Sequence, residues 1–238
     1  MVYQTIKSPN FSKKGRKKHK IKFVIIHYTG MQSKRASIER LTDPSRKVSC
    51  HYLIDRAGDV IQMIKDNQIA WHAGKSKWKK NENLNESSIG IELVNKGHRL
   101  QYQSFTKIQI NGLIKLCKIL KKNYKIKNNC FLGHSDIAPL RKLDPGEKFP
   151  WLTLKKKSIG IWYPEFKNIK NSVEIQNYRN YFFNNIFKIG YRYFHKKKSS
   201  KNDKLIIKAF QRRFLPSKVD GKIDQKTLKI SHYLANSN

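Results

Sequence analysis

His134 and Asp144 stand ten residues apart, in the runs Gly133-His134-Ser135-Asp136-Ile137-Ala138-Pro139 and Arg141-Lys142-Leu143-Asp144-Pro145-Gly146. An imidazole and a carboxylate presented by one constrained loop supply two of the three protein ligands that a catalytic zinc needs, with a fourth position left open for water. The third must come from elsewhere. His27 is the best placed, because it closes the apolar run Phe23-Val24-Ile25-Ile26, which reads as a buried strand and so as a rigid support for a metal ligand. Two imidazoles and a carboxylate form a borderline-soft donor set suited to zinc, which would acidify a water towards a pKa of about 7 and polarise a carbonyl under attack. Glu92 draws attention for a different reason: it interrupts the apolar segment Ile89-Gly90-Ile91-Glu92-Leu93-Val94, where an unpaired carboxylate is costly unless it faces a polar site.

The elements that must position these groups follow from hydrophobic periodicity. After the strand at 22–27, a segment around Ser37 to Leu41 has helical character, with Ser37 as a candidate cap. Val48 to Ile54 alternates loosely, breaks at Asp55-Arg56-Ala57-Gly58-Asp59 and resumes at Val60 to Ile64, which predicts a β-hairpin with glycine in its turn. Ile89 to Val94 is a further strand. Thr106 to Tyr124 places Ile108, Leu113, Leu116, Ile119 and Leu120 at mostly helical spacing, with Thr106 as its cap. The expected fold class is therefore α/β, a mixed central sheet flanked by helices. Beyond Trp151 the texture changes to Lys155-Lys156-Lys157-Ser158, then a Trp/Tyr/Pro segment through Pro164, and helical patterns follow at 173–188, 203–214 and from about Asp224. The resulting division is a basic, mobile lead-in over 1–20, a catalytic domain over 21–157, a linker over 158–171 and a small all-α three-helix domain over 172–238. A chain cut near Lys157 is expected to fold and bind zinc without the rest.

Five blocks in order resemble one family: Phe23-Val24-Ile25-Ile26-His27-Tyr28-Thr29, Ala70-Trp71-His72-Ala73-Gly74, Ser88-Ile89-Gly90-Ile91-Glu92-Leu93, and the two runs around His134 and Asp144. Together, over about residues 20 to 155, they are similar to the zinc-dependent N-acetylmuramoyl-L-alanine amidases of the amidase-2 type, related in fold to phage T7 lysozyme and the peptidoglycan recognition proteins. The resemblance implies that His27, His134 and Asp144 bind zinc and that Glu92 is the general base taking a proton from the attacking water. It also implies that Lys142, two residues before the aspartate, places a cation by the developing oxyanion. Trp71 and His72 fall in a block that the family places near the substrate groove, and His51 is read as a residue of that cleft or one that backs a ligand. His98, His195 and His232 have no such context. The last segment, Ala209-Phe210-Gln211-Arg212-Arg213-Phe214 with Val219-Asp220-Gly221-Lys222-Ile223-Asp224, resembles the three-helix peptidoglycan-binding domain found beside many wall hydrolases, while Phe210 and Phe214 also suit an i,i+4 core pair.

Composition narrows the alternatives. Lys and Arg number 51 against 16 Asp and Glu, a formal charge of +35 that favours polyanions of any kind, nucleic acid and acidic wall polymers included. No nucleic-acid-binding motif accompanies it, so no specific nucleic-acid partner is expected. A noncatalytic recognition protein of the same fold is the other alternative, and the presence of all three ligands and Glu92 argues against it. Cys50, Cys117 and Cys130 are odd in number without CxxC spacing, which excludes a disulfide framework and a thiolate zinc site and leaves buried, inert thiols. No run of 18 apolar residues exists to span a membrane. No apolar segment precedes the basic stretch from Lys13 to Lys20, so a cytoplasmic location is expected, with the cell envelope as the alternative that a wall-binding domain would favour. A monomer acting on peptidoglycan or muropeptides completes the expectation.

Overall fold

A computed structural model describes residues 4–166 and 177–237 of the chain. Ten strands occur among them: β1 (Gln4–Thr5), β2 (Phe11–Ser12), β3 (Phe23–Tyr28), β4 (Tyr52–Ile54), β5 (Val60–Gln62), β6 (Ile69–Ala70), β7 (Lys77–Trp78), β8 (Asn81–Glu82), β9 (Ser88–Leu93) and β10 (Phe131–Gly133). The helices are α1 (Lys34–Thr42), α2 (Lys107–Tyr124), α3 (His134–Ile137), α4 (Trp151–Lys156), α5 (Tyr178–Ile189), α6 (Asp203–Phe214) and α7 (Gln225–Asn236). Six strands form one mixed sheet in the order β1-β5-β4-β9-β3-β10, in which β4, β9, β3 and β10 run parallel and the β4–β5 hairpin is antiparallel. The hairpin is the expected one, with Gly58 at φ +88° in its turn and the Asp55 carboxylate accepting from the Ala57 and Asp59 amides.

Because side chains alternate along a strand, β3 feeds two separate cores. Val24 and Ile26 pack with Ile89, Ile91, Phe131 and the buried face of α2, which carries Ile110, Leu113, Ile114, Cys117 and Leu120. Thr106 caps α2 as expected, accepting from the Gln109 amide at 3.1 Å, but Ile108 points outward. Phe23 and Ile25 face the other way and join Leu132, Ile137, Phe182, Phe183, Phe210 and Phe214 in one cluster. The C-terminal helices thus share a core with the sheet, and Phe210 and Phe214 form the i,i+4 pair at 5.0 Å between ring centroids.

Several expectations need correcting. The cap of α1 is Ser33, whose hydroxyl accepts from the Ala36 amide, whereas Ser37 lies inside the helix and donates back to the Ser33 carbonyl. The lead-in is folded from residue 4: β1 pairs with β5, β2 with β6, and the Arg16 guanidinium is buried on the carbonyls of Asp66, Asn85 and Ser88. Cys50 and Cys117 are buried as expected, and Cys130 is only half-buried. In the C-terminal region the third helix starts where expected, with the Asp224 carboxylate accepting from the Thr227 amide. Residues 167–171 of the expected linker and 172–176 of the helical domain lie outside the described residues. No helix among the described residues is long and apolar enough to cross a membrane.

Candidate metal centre and active-site cleft

His27 is the penultimate residue of β3, His134 opens α3 directly after β10, and Asp144 returns beside them because its carbonyl accepts from the Ser135 amide at 2.8 Å. All three are buried. The two Nδ1 atoms lie 2.9 Å apart, and each is 3.0 Å from Asp144 Oδ2.

The protons around this trio can be placed from the surrounding hydrogen bonds. His134 Nε2 faces the Ala73 carbonyl at 3.1 Å, so it carries the proton and donates, leaving Nδ1 a bare lone pair. Ser88 gives its hydroxyl proton to the Leu84 carbonyl and therefore accepts from His72 Nε2 at 3.2 Å. His72 Nδ1 is then the acceptor for His27 Nε2–H at 3.0 Å, which leaves His27 Nδ1 unprotonated as well. Two lone pairs and an ionised carboxylate oxygen converge with no proton between them, an arrangement that repels itself unless a cation sits among them. The residues present therefore fit a zinc ion, with both imidazoles held in the ligating tautomer by their far nitrogens. Burial first, and then the neighbouring His134 imidazole, lowers the His27 pKa to about 4. Burial alone would raise the Asp144 carboxyl, yet His134 and His27 hold it well below the ordinary carboxylate range, so His27 is neutral and Asp144 ionised at neutral pH.

Glu92 is the direct cross-strand partner of His27 in the β3–β9 pair. Its carboxyl is raised to about 8, first by burial and then by the Asp144 charge, with Lys142 opposing, and Oε2 has no hydrogen-bond partner among the described residues. The trio, Glu92, His72 and Lys142 all line one cleft of about 360 Å³. Arg40, Lys96, Arg99 and Arg141 add four further cations to its walls. A larger groove of about 520 Å³ lies near the C-terminal end of α2 among Lys118, Lys121, Lys122, Lys125 and Lys157, but it holds no acid, histidine or thiol for hydrolysis.

The remaining expected site residues divide. His72 lines the cleft with both ring nitrogens already engaged, so it orients His27. His51 is 0% exposed and does not line the cleft: its Nδ1 accepts from the Gly90 amide, and its Nε2 lies against Arg16 and the Gln68 carbonyl. It backs His72, with the rings in edge contact at 5.7 Å. Trp71 lies outside the cleft lining, held through its amide by Ser49 Oγ. Conversely, His98 does line the cleft, bonded to the Tyr28 hydroxyl at 2.9 Å and to Glu147 at 3.0 Å and stacked on Tyr102. The only sequence signal for it was the position of Tyr28 next to His27.

The family model for N-acetylmuramoyl-L-alanine amidases (Amidase_2) matches residues 17–147. The chain is 32% identical over 239 residues to the N-acetylmuramoyl-L-alanine amidase AmiD of Escherichia coli, a match spanning 90% of this chain and 82% of AmiD. The solved complex of AmiD with anhydro-N-acetylmuramic acid-L-Ala-D-gamma-Glu-L-Lys is similar at a TM-score of 0.82 and 30% identity, covering 95% of this chain and 92% of that one. AmpDh3 of Pseudomonas aeruginosa in complex with anhydromuramic pentapeptide gives 0.80 at 29% identity, covering 93% and 92%. The 1,6-anhydro-N-acetylmuramyl-L-alanine amidase AmpD of Haemophilus influenzae is 34% identical over 164 residues, which is 61% of this chain and 86% of that protein. With a family match over more than half its length, and with a fold shared with AmiD over 95% of the chain, the chain belongs to the N-acetylmuramoyl-L-alanine amidase family.

Proposed function

We propose that this protein hydrolyses the amide joining the lactyl group of N-acetylmuramic acid, in its anhydro form, to the L-alanine of a stem peptide, with zinc held by His27, His134 and Asp144. The observation that carries the reading is the convergence of three unprotonated donors beside a buried carboxylate on the neighbouring strand. Zinc in that site would supply Lewis acidity to the scissile carbonyl and to the attacking water. With the zinc charge opposing the burial and the Asp144 charge that raise its carboxyl, Glu92 would be ionised and act as general base, accepting the water's proton on an Oε2 that is not otherwise engaged. The Lys142 ammonium stabilises the oxyanion as the carbonyl becomes tetrahedral, and the peptide amine leaves with a proton returned from Glu92. Arg40, Lys96, Arg99 and Arg141 suit the carboxylates of a stem peptide, and the anhydro substrates of AmiD and AmpDh3 support that choice. All these groups precede Trp151, which supports residues 21–157 as the catalytic part, and the helices from residue 178 onward are read as the part that meets glycan.

The test is mass spectrometry of an anhydro-muropeptide incubated with the purified protein, with and without a chelator. Free stem peptide should appear, stop on chelation and return with added zinc. Glu92→Gln should keep its zinc and lose roughly 10²- to 10⁴-fold in turnover. Release that is indifferent to the chelator would overturn the zinc assignment, and near-normal turnover in the Gln variant would remove Glu92 as the base.

A further inference from the structure

Asp136 lies two residues beyond His134 and is 1% exposed, yet it belongs neither to the metal site nor to the cleft lining. Its Oδ2 accepts from the Gly133 amide at 2.7 Å, closing the first turn of α3 on the residue that precedes His134. Its other bonds come from the C-terminal helical region. The Tyr191 hydroxyl, on the residue two past α5, donates to Oδ1 at 2.6 Å, and the Arg213 guanidinium from α6 donates to Oδ2. The second Arg213 nitrogen donates to the Phe131 carbonyl at 2.9 Å, and the guanidinium Cζ lies 4.2 Å from the Trp151 ring centroid. Arg213 therefore holds the first residue of β10 and the third residue of α3 at once, and His134 lies between those two points. Tyr191 is fixed in turn by an edge contact with Trp78 at 5.0 Å and is 0% exposed.

We propose that Tyr191 and Arg213 are positioning residues for the metal site, acting through Asp136 to hold the β10–α3 junction so that His134 presents Nδ1 to the zinc. A buried carboxylate needs partners for every lone pair it keeps from water, and here two of its three donors come from residues beyond position 190. The C-terminal region is thus part of the apparatus that aims a ligand, in addition to any contact it makes with glycan. The proposal rests on the reading of His27, His134 and Asp144 as the zinc site.

Tyr191→Phe tests it with least disturbance, since the ring stays and only the hydroxyl bond to Asp136 goes. Arg213→Lys is the second variant, keeping the charge while losing the fork that spans Phe131 and Asp136. Phe182→Leu is the control, a core change in α5 among Phe183 and Phe210 that weakens the same helices without touching Asp136. Three readouts apply: zinc retention against a competing chelator, the split between kcat and KM, and the His134 ring NMR signals of the metal-free protein. Both Asp136-directed variants should bind zinc roughly tenfold more weakly, lower kcat with KM nearly unchanged and shift the His134 signals. Phe182→Leu should lower the Tm and leave the other readouts alone. Wild-type zinc affinity and unmoved His134 signals in Tyr191→Phe, or effects in all three variants that follow the Tm, would overturn the proposal. If the wild-type protein bound no zinc, the reading of the metal site would fall, and the His134 signals would still decide whether Tyr191 and Arg213 position that side chain.

Discussion

Buried imidazoles resist protonation, and His27, His51 and His72 lie in one ring-to-ring series beneath the cleft. His51 is driven down to about 3, by burial and then by the neighbouring Arg16 charge, and His27 to about 4. In the unfolded chain both would titrate near about 6.5. Between these values the unfolded state binds more protons, so the stability contributed by the neutral rings is complete above about pH 6.5 and is lost as the pH falls towards 4. For the metal-free protein the loss by pH 5 should be on the order of 2 kcal/mol for each of the two rings. Urea unfolding at pH 7.5 and pH 5 measures it, and because His72 is lowered as well, His51→Gln should remove about a third of the acid loss while lowering stability at pH 7.5. Equal stability at the two pH values would contradict this account. His27, His134 and Asp144 were readable from sequence because each sits in an apolar run or a constrained loop. The roles of His51 and His98 were not, because they depend on Arg16, Gln68, Tyr28 and Glu147, from 17 to 70 positions away.

Strand β9 shows how one small residue can serve a metal site that it never touches. A Cβ on Gly90 would come within 2.4 Å of the His72 ring, so the strand admits that ring only because position 90 has no side chain. Gly90→Ala should force His72 aside, remove the acceptor of His27 Nε2–H and cost about 1–3 kcal/mol, with zinc affinity falling roughly 10- to 100-fold. Combining it with His72→Ala should relieve the clash, so a double-mutant cycle should show coupling of at least about 0.5 kcal/mol. Additive effects would mean that the two residues do not meet. Strands β3 and β9, the hairpin and α2 were readable because periods of 2 and 3.6 show in apolar residues. The two-residue strands β1, β2 and β6 were not, since each is defined by a partner about 60 residues away and carries no pattern of its own.

The sequence suggested that a chain ending near Lys157 would fold alone, and the structure gives reasons against it. Phe23, Ile25, Leu132 and Ile137 pack on Phe182, Phe183, Phe210 and Phe214, so truncation would expose one face of the sheet. It would also leave Asp136 buried without Arg213 or Tyr191, and stripping one partner from a buried ion pair costs about 3–5 kcal/mol. The truncated chain should therefore lose its near-UV circular dichroism and its cooperative urea transition, and should bind zinc weakly at best. A sharp transition with wild-type zinc affinity would refute this. Nothing in the sequence could have revealed the link, because Asp136 and Arg213 are 77 positions apart and the change of texture after Trp151 resembles a domain boundary.

The pairing of β9 with β3 sets His27 opposite Glu92. Since neighbouring positions on a strand face opposite sides of a sheet, adding or deleting one residue within 23–28 or 88–93 would turn one of these two groups away from the other while leaving every amino-acid type in place. The spacing along these two strands is therefore as much an inherited part of the active site as the side chains are. A change of composition elsewhere, even to a charge of +35, leaves that facing pair in place, whereas a change of one residue in the length of either segment does not.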